Sequence, residues 1–403
     1  MGSGLLRSVG RNVTTQRHRL PGWLDRTVER AKWASVKRPP GLYVPPPLTT
    51  AAGERARVLI APANFAGQGW QWAQALGRAG VPTVAWAYSA SSTFAFPADH
   101  AISLAAANTA PRAQQRAAFE RVVETVDAVV LEAGRPIFGA MFGFDPVAEA
   151  RALQERGVRV ALLWHGTDIR VPSQHAATHG TSPYALSAQR GTTRALEAVA
   201  LRNRQRLASF SGPVLVSTPD LVPHVPRARW CPVVVDTHPA QAGTGVFEGS
   251  GPPTVVHIPS NPWLKGTELI HPTLDAMQRA GQIRYRSATG LTSREVGVLV
   301  ASADVVLDQF RLGIYGVGAC EALVAGRVVV SDVDDEVRET VRASTGLDLP
   351  IVQSSATELG DRLCGLIDDP AAARELAARG PGFVAEVHDG RRAASVLRDA
   401  LDV

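Results

Sequence analysis

Short apolar runs rich in β-branched residues recur along this chain, and each leads through a turn into apolar residues at helical spacing. The first unit reads "RVLIAPANFAGQGWQWAQALGRAG": a strand-like run at 57–61, a loop holding Gly67 and Gly69, and a helix ending at Gly80. Further strand-like runs are "VPTVAW", "DAVVLE", "VRVALLW" and "GPVLVS", separated by helical stretches at 112–126, 146–156 and 192–210. Alternation of this kind implies a parallel sheet with helices packed on both faces.

A second series begins after "WCPVVVD" and the Gly/Pro-rich "AGTGVFEGSGPPT". It reads "TVVHIP", a helix over 267–281, "IRYRSAT", a helix around 293–301, "ADVVLD", a helix over 317–325, "RVVVSD", and then helices to the end. The expected fold is α/β, with two doubly wound Rossmann-like domains, and 403 residues suit two cores. The expected boundaries are a basic extension and Pro-rich linker at 1–48, an N-terminal domain at 49–238, a C-terminal domain at 239–385, and a final helix at 386–403 packing back toward the first domain. Ligands of open α/β sheets bind outside the C-terminal ends of the strands, so the two sheets are expected to face one another across a cleft.

Hydrophobic content of 45% and charged content of 20% suit a soluble protein with large cores. The sequence contains no run of 18 apolar residues and no apolar export signal near Met1, so a cytoplasmic chain is expected. Cys231, Cys320 and Cys364 have neither paired nor zinc-ligand spacing. The net charge of +5 is lopsided: residues 1–48 carry nine Arg and Lys against Asp25 and Glu29, leaving about −2 for everything else. A nucleic-acid enzyme would carry its basic stripe across the folded body, so no nucleic-acid partner is expected. The extension combines that charge with Trp23, Leu24, Val28 and Trp33 near a helix at 22–37, a layout that suits an anionic membrane surface, with packing along the first domain as the alternative.

Four segments carry candidate chemistry. Gly67 and Gly69, in a loop between a strand and a helix, allow close approach of a phosphate or sugar, or simply form a turn. In "LLWHGTDIR", His165 falls at the cleft end of a strand, and Asp168 reads as a helix cap. In "DQFRLGIYGVGACEALVAGRVVVSDV", Gly316, Val317 and Gly318 form a small-residue loop at a helix start that suits an anion. One turn on, Glu321 is a carboxylate that burial would make costly unless a polar group such as a ribose diol uses it. In "HIPSNPWLKGTELI", Lys265 is one of only three lysines among 42 basic residues. Its compact ammonium can reach a phosphate where a planar guanidinium fits less well.

Together these segments, with "VSTPDL" and "WCPVVVD", resemble the retaining, nucleotide-sugar-dependent glycosyltransferases of the GT-B fold over about residues 57–400. The resemblance implies that Lys265 meets the donor diphosphate, that Glu321 holds the nucleotide ribose, and that Gly67, Gly69 and His165 lie at the donor sugar. It implies sugar transfer from a nucleoside diphosphate donor to an acceptor hydroxyl with retention, in cell-surface glycan or glycolipid synthesis. No metal is required, and the acceptor is a glycan, a lipid-linked molecule or a small molecule. Localisation would be cytoplasmic, with the extension able to hold the chain at the inner face of the plasma membrane. Two positions depart from the family pattern. Ser260 stands where many members have an arginine, for which Arg311 is a candidate substitute, and Gly313 stands where the family has the first glutamate of E-x7-E. Asp332 and Asp334 in "SDVDDE" can be read as a metal-binding DxD, but a helix-start acidic cluster is the better reading. A nonhydrolysing sugar-nucleotide epimerase and a non-catalytic nucleotide-sugar or glycan-binding protein remain alternatives.

Overall fold

The structure is a computed structural model that describes residues 22–34, 36, 43, 45–88, 96–238 and 245–403. After helix α1 (Gly22–Ala34), the first domain runs β1 (Val58–Ala61), α2 (Gln68–Arg78), β2 (Thr83–Tyr88), β3 (His100–Ile102), α3 (Leu104–Thr109), α4 (Arg112–Thr125) and β4 (Ala128–Glu132). It continues with α5 (Pro146–Glu155), β5 (Arg159–Trp164), α6 (Pro172–Thr178), α7 (Arg190–Leu207), β6 (Val214–Val216) and β7 (Ala228–Trp230). The strands form a seven-stranded parallel sheet in the order β3-β2-β1-β4-β5-β6-β7. Every residue of β1 and β4 is buried, as strands covered on both faces require. Strand order reverses between β1 and β4, and the chain leaving their C-terminal ends carries the glycine loop and Glu132.

The second domain runs β8 (Thr254–His257), α8 (Pro262–Lys265), α9 (Thr267–Arg279), β9 (Arg284–Ser287), α10 (Ser293–Ala301), β10 (Val305–Leu307) and α11 (Val317–Val324). Then come β11 (Val328–Ser331), α12 (Asp335–Thr345), β12 (Val352–Gln353), α13 (Leu359–Asp368), α14 (Pro370–Val387) and α15 (Arg391–Leu401). Its five parallel strands are ordered β12-β11-β10-β8-β9, with the reversal between β8 and β10. The Lys265 segment follows β8, and Asp308 follows β10 directly.

Two crossings join the domains. The first, at 231–236, is extended chain that follows the end of β7 at Trp230. Gln68 clasps it, accepting from Val234 N at 2.7 Å and donating to Val234 O at 3.0 Å. The second is the turn between α14 and α15. Gly390 has φ +102° there, and a Cβ would stand 2.9 Å from Ala75 Cβ, so only glycine fits. Beyond it, Ala393, Ala394, Leu397 and Leu401 of α15 join the first-domain core beside Val58, Ile60, Trp72 and Leu76. Buried His388 ties the crossings together: its Nδ1 donates to Val233 O at 2.8 Å, and its Nε2 accepts from Tyr315 Oη at 3.2 Å.

The helix expected at 22–37 ends at Ala34, and Trp33 stacks on Phe144 of the first domain with centroids 6.4 Å apart. Arg7, Arg11, Arg17, Arg19, Lys37 and Arg38 of the basic extension lie outside the described residues. So do the side chains of Trp23, Leu24 and Arg26. Among the described residues, no helix is long and apolar enough to cross a membrane.

Candidate active site

A cavity of about 320 Å³ lies between the domains. Ala66, Gly67, Gln68 and Phe96 line it from the first domain, Val234 to Asp236 from the crossing, and Val296, Val300, Val317, Glu321 and Val324 from the second domain. It thus brings together Gly67, Val317 and Glu321. Gly69, His165, Lys265, Gly316 and Gly318 are not among its lining residues.

On the first-domain side, the glycines serve different ends. Gly67 adopts φ +75° at the start of α2, a conformation that favours glycine, with Phe96 packed over it. Gly69 makes room for a protein carboxylate: a Cβ there would lie 3.0 Å from Glu132 Oε2. Glu132 is fully buried at the end of β4 and accepts from Ala63 N at 3.1 Å and Asn64 N at 3.3 Å. Its other oxygen lies 3.2 Å from His165 Nε2. A carboxylate flanked by backbone donors acts as an acceptor, so His165 carries its proton on Nε2. The imidazole is further held between Phe65 and Trp72, with centroids 5.1 and 5.6 Å away. Asp168 caps the turn that carries it, accepting from His165 N at 3.0 Å and Gly166 N at 2.6 Å. Sequence reasoning missed Glu132, which reads there as the last residue of an apolar run. A carboxylate ending a central strand beside the reversal of strand order is the signal that marks it.

On the second-domain side, Lys265 ends the one-turn α8, and Gly266 follows at φ +76°, where a Cβ would meet Arg311 Cγ at 2.9 Å. His257 braces this turn, donating from Nδ1 to Leu307 O at 2.9 Å and accepting at Nε2 from Thr267 Oγ1 at 2.9 Å. Burial pushes its imidazole down to about 4, so it stays neutral. The Lys265 ammonium bonds Asp308 Oδ1. Glu321, expected to be buried, is exposed into the cleft. The surrounding walls still strip enough water from its carboxyl to push it up to about 7, with Lys265 opposing the rise.

Arg311, the candidate substitute for the arginine absent at Ser260, has its buried guanidinium bonded to Glu268 at 2.5 Å and to Thr181 O at 2.7 Å. Gly313 has φ +65°, and a Cβ there would overlap the Asp334 carboxylate, which pairs with His179 Nε2 across the domain boundary. Asp332 accepts from Gln353 Nε2 at 2.8 Å, and Asp334 immediately precedes α12. These partners suit a helix-start acidic group rather than a metal-binding pair.

No family model matches the sequence, and no curated protein matches it. In structure, the chain is similar to sucrose-phosphate synthase from Thermosynechococcus elongatus, at 15% identity and a TM-score of 0.53, over 85% of this chain and 97% of that one. It is also similar to the catalytic domain of starch synthase IV from Arabidopsis thaliana bound to ADP and acarbose, at 10% identity and a TM-score of 0.53, over 86% and 99% of the two chains. A third is Anabaena HepE in complex with UDP, at 14% identity and a TM-score of 0.51, over 86% and 99%. The chain has the GT-B fold. The cavity lies between the glycine loop that follows β1 and the face of the second domain formed by α10 and α11.

Proposed function

We propose that this GT-B chain is a glycosyltransferase that moves a sugar from a nucleoside diphosphate sugar to an acceptor hydroxyl with retention. The observation that carries this reading is the cleft in which Glu321 and the start of α11 oppose the Gly67 loop across one cavity. In this scheme Glu321 receives the ribose hydroxyls. Lys265 and the N–H groups opening α11 at Gly316 to Gly318 take the charge that builds on the departing diphosphate, without a required metal ion. Gly67 brings the first-domain backbone close to the donor sugar, Gly69 makes room for Glu132, and His165, oriented by Glu132, supports that side of the site. The acceptor is a glycan, a lipid-linked molecule or a small molecule of cell-surface glycan or glycolipid synthesis. The basic extension provides attraction to anionic lipid on the cytoplasmic face of the membrane.

The decisive experiment incubates the full chain with a panel of nucleotide sugars and follows nucleoside diphosphate release with and without candidate acceptors, with the anomeric configuration of the product read by NMR. Acceptor-dependent release with retained configuration supports the proposal. Epimer interconversion without release, or saturable binding with no turnover, refutes it in favour of an epimerase or a binding protein.

A further inference from the structure

Asp308 leaves β10 with its amide still in the ladder, donating to Val330 O at 3.0 Å, so the sheet fixes its Cα. Its side chain is 3% exposed, and while Oδ1 bonds the Lys265 ammonium, Oδ2 is buried without a hydrogen-bond partner. Lys265 is tethered from the same side, since its carbonyl accepts from Phe310 N at 3.0 Å. The Lys265 side chain, in contrast, is 20% exposed. A buried ion pair contributes little to stability once desolvation is counted, and a buried acceptor without a donor is destabilising. The arrangement therefore calls for an explanation in ligand binding rather than in folding.

We infer that Asp308 is a resident counter-ion for Lys265, holding the ammonium in place and competing for it with the nucleoside diphosphate. This rests on the reading of Lys265 as the diphosphate contact. The carboxylate also lies against the first turn of α11, since a Cβ on Gly318 would stand 4.0 Å from Asp308 Oδ1. Asp308 thus sits at both positive features proposed to receive the ligand, the ammonium and the helix start. An arriving diphosphate shares them with a like charge fixed to the sheet, so its affinity is held down and the departing diphosphate is released readily. The neighbours do not offset this. Position 260 is an uncharged serine, Arg311 is committed to Glu268 and Thr181, His257 is neutral, and Glu321 adds negative charge when ionised.

The test is calorimetric titration of the full chain with UDP, ADP and GDP, using wild type, Asp308→Asn, Lys265→Met and the double variant. Asparagine keeps the shape and an acceptor for Nζ while removing the charge. Asp308→Asn is therefore expected to bind the preferred diphosphate about tenfold more tightly, and that gain should vanish in the Lys265→Met background. Unchanged or weaker binding by Asp308→Asn, or a gain that survives Lys265→Met, overturns the inference. Should the asparagine variant not fold, Asp308→Ser makes the same comparison. If folded wild type and the Asp308 variant both bind none of the diphosphates, the proposed function falls too; binding by wild type without a gain in the variant overturns the counter-ion alone.

Discussion

The Asp334 carboxylate occupies the space that any side chain at position 313 would need, and Asp334 N donates to Gly313 O at 2.9 Å. Gly313 at φ +65° is thus required by both its conformation and its neighbour. Gly313→Ala is expected to destabilise the chain by about 2–3 kcal/mol through left-handed strain and overlap. Gly313→Glu, which restores the family residue in name, should be worse. Urea midpoints measure both, and a Gly313→Ala chain as stable as wild type contradicts the geometry.

The partner of Asp334 is His179, half-buried at the end of α6 and stacked on His175 with centroids 4.0 Å apart. The bond to Asp334 raises the His179 imidazole above its usual value, with burial opposing; the His175 carbonyl also raises it and Arg170 lowers it. A raised histidine stabilises most below its unfolded pKa and loses that contribution as pH climbs through the folded value. The link is partly exposed, so it is worth about 1 kcal/mol or less. The stability difference between wild type and His179→Gln should therefore be largest near pH 5.5 and fade above pH 7. A difference flat across that range removes the ion pair.

Lys265 offers a test in rate. If its ammonium meets the departing diphosphate, Lys265→Ala should cost on the order of 3 kcal/mol, or about 100-fold in transfer rate. Lys265→Arg should also be impaired, since its planar fork replaces a point charge beside Asp308. Steady-state rates with the preferred donor decide it, and an alanine variant at wild-type speed rejects the assignment.

How legible this was depended on the physics each residue obeys. The alternation of apolar runs and helices gave both parallel sheets, because burial on two faces leaves a local signature, whereas β3 and β12 are too short to leave one. Lys265 stood out by rarity and by the glycine after it. Glu132 and Asp308 did not: each ends or follows a strand, and each acquires its role from a partner 33 or 43 positions away. The partners of Arg311 were hidden for the same reason, since nearness in sequence said nothing of Glu268 and Thr181.

Acid should weaken the fold through three histidines. Burial holds His175, His257 and His388 at about 4, below the usual histidine value of 6.5. A depressed histidine is neutral in the fold and takes up its proton more readily when unfolded, so stability is intact above pH 6.5 and falls as pH drops toward 4. Each contributes roughly 3 kcal/mol over that window, as an upper figure. Urea midpoints should drop steeply from pH 6.5 to 4.5, and His388→Gln should flatten the slope; a pH-independent midpoint would show these rings are not buried neutral.

The Glu132 to His165 bond yields the most discriminating variant on the first-domain side. Glu132 accepts from two backbone amides in the interior and from His165 through a partly buried bond. In Glu132→Gln, the amide nitrogen cannot accept, so either the backbone donors or the imidazole N–H loses its partner. The cost should be about 1–3 kcal/mol in stability. Glu132→Asp shortens the reach by a methylene and should preserve the backbone bonds less well than the charge. Nitrogen–proton correlation spectra of the histidine rings give a readout independent of stability. His165 is expected as the Nε2–H tautomer in wild type and as a mixture in Glu132→Gln, with transfer activity falling alongside. A wild-type spectrum showing Nδ1–H at His165 would mean that Glu132 does not orient the ring.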